Sequence, residues 1–127
     1  MSAAATGRSL VLLADDDDDL RGAIADALRD EDAFDVVEAR DGTEALALAL
    51  SMHPHAIVLD HRMPGLSGAE VATRLRGAGI AIPIILVTAA RDVAQLAGNA
   101  GLQCFLGKPF GVEDLVALIG RALAGHC

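Results

Sequence analysis

Five short apolar runs, each followed by a loop and then a segment of helical periodicity, restrict this chain to very few architectures. The runs are Leu10–Ala14, Phe34–Val37, Ala56–Leu59, Ile82–Val87 and Cys104–Leu106. The first, third and fourth are nearly continuous, as strands covered on both faces read. The second is broken by Asp35 and the fifth is short, which suits the edges of a sheet. Strands alternating with helices imply an α/β fold with a parallel sheet and right-handed crossovers.

The intervening segments carry helical stripes. Leu20, Ile24, Ala27 and Leu28 follow i, i+4, i+7, i+8, and Val112, Leu115, Val116, Ile119 and Leu123 trace another. Ser67 with Glu70 reads as a capping box and Gly77 as a helix stop. Val93, Leu96, Ala97 and Ala100 share a face. Gly98 lies among them and weakens a helix by about 1 kcal/mol relative to Ala, so the fourth helix is expected to be the most mobile.

The chain has 127 residues, enough for one domain, expected over 9–124 with loose ends at 1–8 and 125–127. It is 53% hydrophobic but only 2% aromatic, without Trp or Tyr, so Ala, Leu, Val and Ile must build the core. That composition excludes disorder. Eighteen acidic residues against 10 basic ones give −8, which argues against a basic nucleic-acid face. No apolar run reaches the length of about 18 residues that a membrane span needs, and Met1–Ser9 is not a secretory signal. Cys104 and Cys127 make neither a C-x-x-C motif nor a framework, so a reduced, cytoplasmic compartment is expected. Cys104 reads as a small buried hydrophobe and Cys127 as unpartnered.

The functional signal lies just beyond each run. Asp15 and Asp16 come after the first, Asp60 after the third, Thr88 closes the fourth, and Lys108 lies just past the fifth. In an open parallel sheet these strand ends share one edge, where ligands bind. Crowded carboxylates require a proton or a cation among them, and oxygen donors with a phosphate suit Mg²⁺. A carboxylate can attack phosphorus to give an aspartyl-phosphate, a reaction that needs positioning and charge neutralisation above all. Lys108 offers a point charge and Thr88 a hydroxyl donor. Of the remaining Asp15–Asp19 run, Asp18 or Asp19 is expected to cap the first helix. His53 and His55 flank Pro54 in a helix-to-strand loop and are not read as metal ligands, and His61, beside Asp60, reads as solvent-facing.

These residues resemble the receiver domain of two-component response regulators. The resemblance rests on Val11-Leu12-Leu13-Ala14-Asp15-Asp16, Ile57-Val58-Leu59-Asp60-His61-Arg62-Met63-Pro64-Gly65, Val87-Thr88-Ala89 and Lys108-Pro109-Phe110, in order and at the family's spacing. Asp41-Gly42-Thr43-Glu44-Ala45-Leu46 is similar to the family's second-helix start. It implies a flavodoxin-like (βα)5 fold with strand order 2-1-3-4-5 and helices on both faces. It also implies Asp60 as phosphoacceptor, with Mg²⁺ held by Asp15, Asp16, Asp60 and the backbone carbonyl of Arg62. Lys108 and the backbone N–H of Ala89 would bind phosphate, and Thr88 with Phe105 would switch. A cis Lys108–Pro109 bond belongs to the same pattern.

The implied function is a signalling switch rather than an enzyme. Asp60 would accept a phosphoryl group from a sensor histidine kinase or a histidine phosphotransfer protein, and lose it slowly. The output would be contact with a downstream protein, without nucleic acid or membrane, through the face of the fourth helix, fifth strand and fifth helix. The protein would be a monomer or a weak dimer through that face. Met1 and the short tail after Leu123 favour a stand-alone regulator. Ala14, Cys104 and Gly111 depart from commoner residues. By the same resemblance Arg62 and Ala90, two residues past Asp60 and Thr88, would line the approach for attacking water, and an Arg and an Ala there do not fix the lifetime of the phosphorylated state. A phosphatase with an aspartyl nucleophile would carry a second Asp where Arg62 stands, and a flavin carrier would need aromatic stacking partners. A receiver-like module that takes no phosphate is the remaining rival.

Overall fold

The computed structural model describes residues 8–89 and 91–127. Five strands, β1 (Ser9–Ala14), β2 (Phe34–Ala39), β3 (Ala56–Asp60), β4 (Ile84–Thr88) and β5 (Cys104–Gly107), pair in parallel in the order β2-β1-β3-β4-β5. The broken and the short runs are the two edges, as the apolar pattern requires. Five helices alternate with them: α1 (Asp18–Arg29), α2 (Gly42–Met52), α3 (Gly68–Gly77), α4 (Val93–Asn99) and α5 (Val112–Leu123).

The side-chain period of two sorts each strand between two cores. Leu12, Ile57, Leu59 and Leu86 pack with Ala45, Ala49, Val71 and Leu75 of α2 and α3. Val11, Leu13, Val58, Ile85 and Val87 pack with Ile24, Leu28, Leu115 and Ile119 of α1 and α5 on the other face. β4 begins at Ile84 rather than Ile82, because Pro83 has no N–H to donate and Arg76 takes the Ile82 carbonyl at 2.9 Å.

The helix starts follow local chemistry. Ser67 and Glu70 form the expected capping box, Glu70 N–H donating to Ser67 Oγ at 3.1 Å and Ser67 N–H to Glu70 Oε1 at 3.0 Å. Asp41 caps α2 through Glu44 N–H. The cap of α1 is Asp17, which accepts from Leu20 N–H at 3.1 Å, whereas Asp18 and Asp19 occupy the first turn. The expectation of a later cap is thereby corrected.

The end of the chain is also corrected. A disulfide joins Cys104 to Cys127, and His126 N–H donates to the Arg121 carbonyl at 2.8 Å, so residues 125–127 are fastened rather than loose. The cysteines were expected to be independent.

Candidate functional site

Register aligns the strand ends. Ala14 pairs with Leu59, Asp60 with Val87, and Thr88 with Gly107, so Asp15, Asp60, Thr88 and Lys108 reach the same edge. Ladder bonds continue past the strands and fix the backbone there. Asp15 N–H donates to Ala39 O, His61 N–H to Val87 O, and Lys108 N–H to Thr88 O. The Lys108–Pro109 bond is cis, as the resemblance implied.

Three carboxylates gather at this edge. Asp15, Asp16 and Asp60 each offer an oxygen within 4.8 Å of the others. Asp15 and Asp60 are buried, at 3% and 6% exposure, while Asp16 faces solvent. The Lys108 ammonium bridges the buried pair, 3.1 Å from Asp15 Oδ2 and 3.4 Å from Asp60 Oδ2. Its burial opposes its charge, but the hydrogen bond to Asp15 and the charges of Asp60 and Asp15 outweigh this and raise its pKa. Asp60 is pushed up to about 6, first by burial and then by the Asp15 charge, against the pull of Lys108.

One ammonium against three ionised carboxylates leaves a formal charge of −2, the complement of a divalent ion. Hard oxygen donors, one of them open to water, fit Mg²⁺, which keeps part of its hydration shell. The donor set therefore suits the implied metal.

The structure also shows supports that the sequence reading passed over. Arg21 is buried, donating from Nη1 to the Asp15 carbonyl at 2.8 Å and from Nε to Glu38 at 3.1 Å, with Asp18 paired at 2.8 Å. Burial opposes its charge, yet those carboxylates raise its pKa. Asp15 Oδ1 accepts from Asp17 N–H at 2.9 Å, so the α1 cap and the acid corner form one unit. The signal was present: Arg21 lies beside Leu20 and three residues before Ile24, on the apolar stripe.

The loop after β3 is equally determined. Gly65 has φ +79, a left-handed conformation that favours glycine, and Gly68 N–H closes the loop on the His61 carbonyl at 2.9 Å. A Cβ on Gly68 would lie 2.5 Å from the Asp60 carbonyl oxygen and 2.9 Å from Leu86 Cδ1. Only glycine lets α3 start this close to Asp60.

The other expected residues are more dispersed. Thr88 is fully buried at the end of β4, and Ala89 follows it, exposed. Arg62 is exposed in the loop after Asp60. Phe105 lies two residues before the end of β5 and is 40% exposed. Ala90 lies outside the described residues. His61 is half-buried, its Nδ1 enclosed with no hydrogen-bond partner among the described residues. His55 accepts Leu10 N–H on Nδ1 at 2.9 Å, a structural role at the far end of the sheet.

Four strand ends, those of β1, β3, β4 and β5, present three Asp, one Thr and one Lys, and a family model described as the response regulator receiver domain matches the chain over residues 11–120. The chain belongs to that family. Receiver domains are phosphoacceptor signalling proteins of two-component systems rather than conventional enzymes, and they bind Mg²⁺ in an acidic pocket. Response regulators receive their phosphoryl groups from histidine kinases. This receiver domain is 42% identical over 115 residues to response regulator MprA of Mycobacterium tuberculosis, covering 89% of this chain and 49% of that protein. It is 37% identical to the transcriptional regulatory protein PdtaR of the same species, over 90% of this chain and 56% of PdtaR. The chain thus spans about half the length of the curated relatives it matches. Among solved structures it is similar to the receiver domain of Francisella response regulator 1452, with TM-score 0.87, 28% identity and coverage of 94% and 100% of the two chains. Vibrio cholerae chemotaxis protein CheY4 has the same fold at TM-score 0.81 and 29% identity, with 91% and 98% covered. Among the described residues, no helix is long and apolar enough to cross a membrane.

Proposed function

We propose that this receiver domain, over residues 9–124, accepts a phosphoryl group on Asp60 from the phosphohistidine of a sensor histidine kinase or a histidine phosphotransfer protein. The observation that carries the reading is the buried Asp15–Lys108–Asp60 triangle at the strand ends, with contacts of 3.1 and 3.4 Å. With its pKa near 6, Asp60 is largely ionised above neutral pH and available as a nucleophile. Its oxygen attacks phosphorus as the P–N bond to the donor imidazole breaks. The Lys108 ammonium, already beside the attacked position, balances the arriving charge. Asp15, Asp16, Asp60 and the Arg62 carbonyl would hold Mg²⁺, which when bound neutralises phosphoryl oxygens and orients them for in-line transfer.

Turning the Asp60 carboxylate into an acyl phosphate adds about one net negative charge and three acceptor oxygens to a corner whose charge Lys108 only partly offsets. The Thr88 hydroxyl and the Ala89 N–H are then drawn to the new oxygens, and Lys108 stays paired with them. Movement at the end of β4 makes room for Phe105 to leave solvent, and the α4–β5–α5 face repacks as a pre-existing equilibrium shifts. That face would contact the downstream protein, or a second copy weakly, in the cytoplasm. Hydrolysis back to Asp60 would be slow, paced by Arg62, two positions after Asp60, and Ala90, two positions after Thr88 in the sequence.

Amide NMR shifts with Mg²⁺ and beryllofluoride, a mimic of the acyl phosphate, test the proposal. Saturable changes are expected at Asp60, Thr88, Ala89 and Lys108, extending to Phe105 and α4. Changes confined to solvent-exposed acidic residues would overturn it.

A further inference from the structure

At the foot of the sheet, opposite the acidic edge, a sulfur pair joins elements distant in sequence. Cys104 opens β5 and Cys127 follows α5. They are 23 positions apart, yet their Cα atoms lie 5.2 Å from each other, inside the range of about 4.4–6.8 Å that a disulfide spans.

Backbone bonding, independent of sulfur, brings them together. After α5, Gly125 has φ +78, its N–H donates to Ala122 O at 3.1 Å, and His126 N–H donates to Arg121 O at 2.8 Å. These 5→2 and 6→1 bonds are a Schellman termination, with glycine in the left-handed position it requires. The turn sends Cys127 back against the apolar layer that contains Cys104, Leu115, Ile119 and Ala122. The pairing geometry is thus built by the helix end, so the sulfur bond can open without releasing the turn.

Access differs between the two sulfurs. Cys104 is buried and Cys127 is half-buried. A cavity of about 220 Å³ reaches both, and Arg76 and Gln103 also line it. The Arg76 guanidinium, anchored on the Ile80 and Ile82 carbonyls at 2.8 and 2.9 Å, forms one wall of that cavity. On its other side Cys127 borders a groove with Phe105, Leu118 and Arg121, on the surface of β5 and α5.

We infer that Cys104 and Cys127 form a reversible thiol–disulfide modification site, oxidised by a low-molecular-weight disulfide such as glutathione disulfide, which clamps the end of α5 to the foot of β5 beside Phe105. The site does not depend on the phosphorylation reading. The Cys127 thiolate attacks the donor, breaking its S–S bond, releasing one thiol and leaving a mixed disulfide. The Cys104 thiolate then attacks Cys127 Sγ and releases the second thiol. The protein gives up two electrons and two thiol protons, and the donor is reduced to two thiols. In reducing compartments such pairs are usually transient and redox-sensing.

The test equilibrates the full chain across ratios of reduced to oxidised glutathione, then alkylates free thiols and measures intact mass. One transition is expected, from a doubly alkylated species to an unalkylated one lighter than the dithiol by about 2 Da. Oxidation should raise Tm by about 10 °C, given the length of the loop closed. It should also slow hydrogen exchange at Phe105, Leu106 and residues 121–127. Cys127→Ser and Cys104→Ser should each lose the shift, the former keeping the Tm of the reduced wild type. Two alkylated thiols at every ratio, a stable glutathione adduct, or a bond that survives full reduction would each overturn the inference. A Tm shift without slowed exchange at Phe105 would overturn the clamp.

Discussion

Helices α3 and α4 both follow buried strands of one sheet, and both contain a glycine, yet they are held in opposite ways. α3 spans 10 residues, starts with a complete capping box, and buries Gly68, Val71, Ala72 and Leu75. α4 spans seven residues, its cap residue Asp92 makes no side-chain cap bond, and only Ala97 is buried within it. A Cβ on Gly68 would run into the carbonyl of Asp60, whereas one on Gly98 would meet nothing within 4 Å. The fold fixes the helix that shapes the acid corner and leaves the helix beside the exposed edge lightly bonded. Elements that must rearrange come from the low-stability end of a structure.

The same substitution should therefore have opposite signs in the two helices. Gly68→Ala is expected to cost about 2 kcal/mol, because its Cβ meets backbone that cannot yield, and urea unfolding would read this. A neutral result would mean that α3 is not seated on Asp60.

The next effect concerns what that seat holds. The folded pKa of Asp60 is raised from 3.8 to about 6, so between those values the folded state binds the extra proton. Stability from this group is then highest below pH 4, falls as pH rises through 6, and levels off above. Without metal, Asp60→Asn should stabilise the protein by about 1–2 kcal/mol at pH 7.5, a discounted equivalent of the shift, with no gain at pH 3.5. A gain independent of pH would point to packing instead.

Ser67→Ala should cost about 1 kcal/mol, whereas Asp92→Ala should be within a few tenths of neutral, since only the first breaks a cap bond. Equal costs would erase the distinction between the helices. The smallest effect, Gly98→Ala, should stabilise by about 0.5–1 kcal/mol and slow hydrogen exchange only within α4.

Much of this was legible in sequence because it is written in short-range patterns. Unbroken apolar runs marked the central strands, and broken or short ones the edges, since burial on two faces forbids polar residues. The acid corner was legible because parallel strands place their ends together whatever the intervening helices do. What escaped needed three-dimensional register. Five consecutive Asp residues carry no local sign of which one caps α1, because that depends on where β1 releases the chain. Arg21 lies on the apolar stripe of α1, but the Glu38 carboxylate and the Asp15 carbonyl that hold it there reach it only through the fold. Cys104 and Cys127 meet only because the turn at Gly125 reverses the chain after α5.

The central claim is that Asp60 takes the phosphoryl group in the pocket that α3 holds in place. Intact mass after incubation with acetyl phosphate, with and without Mg²⁺, addresses it directly for wild type and Asp60→Asn. The expected result is one added phosphoryl group on wild type, dependent on Mg²⁺, and none on the variant. An Asp60→Asn protein that still gains it, or a wild type that never does, would contradict the account.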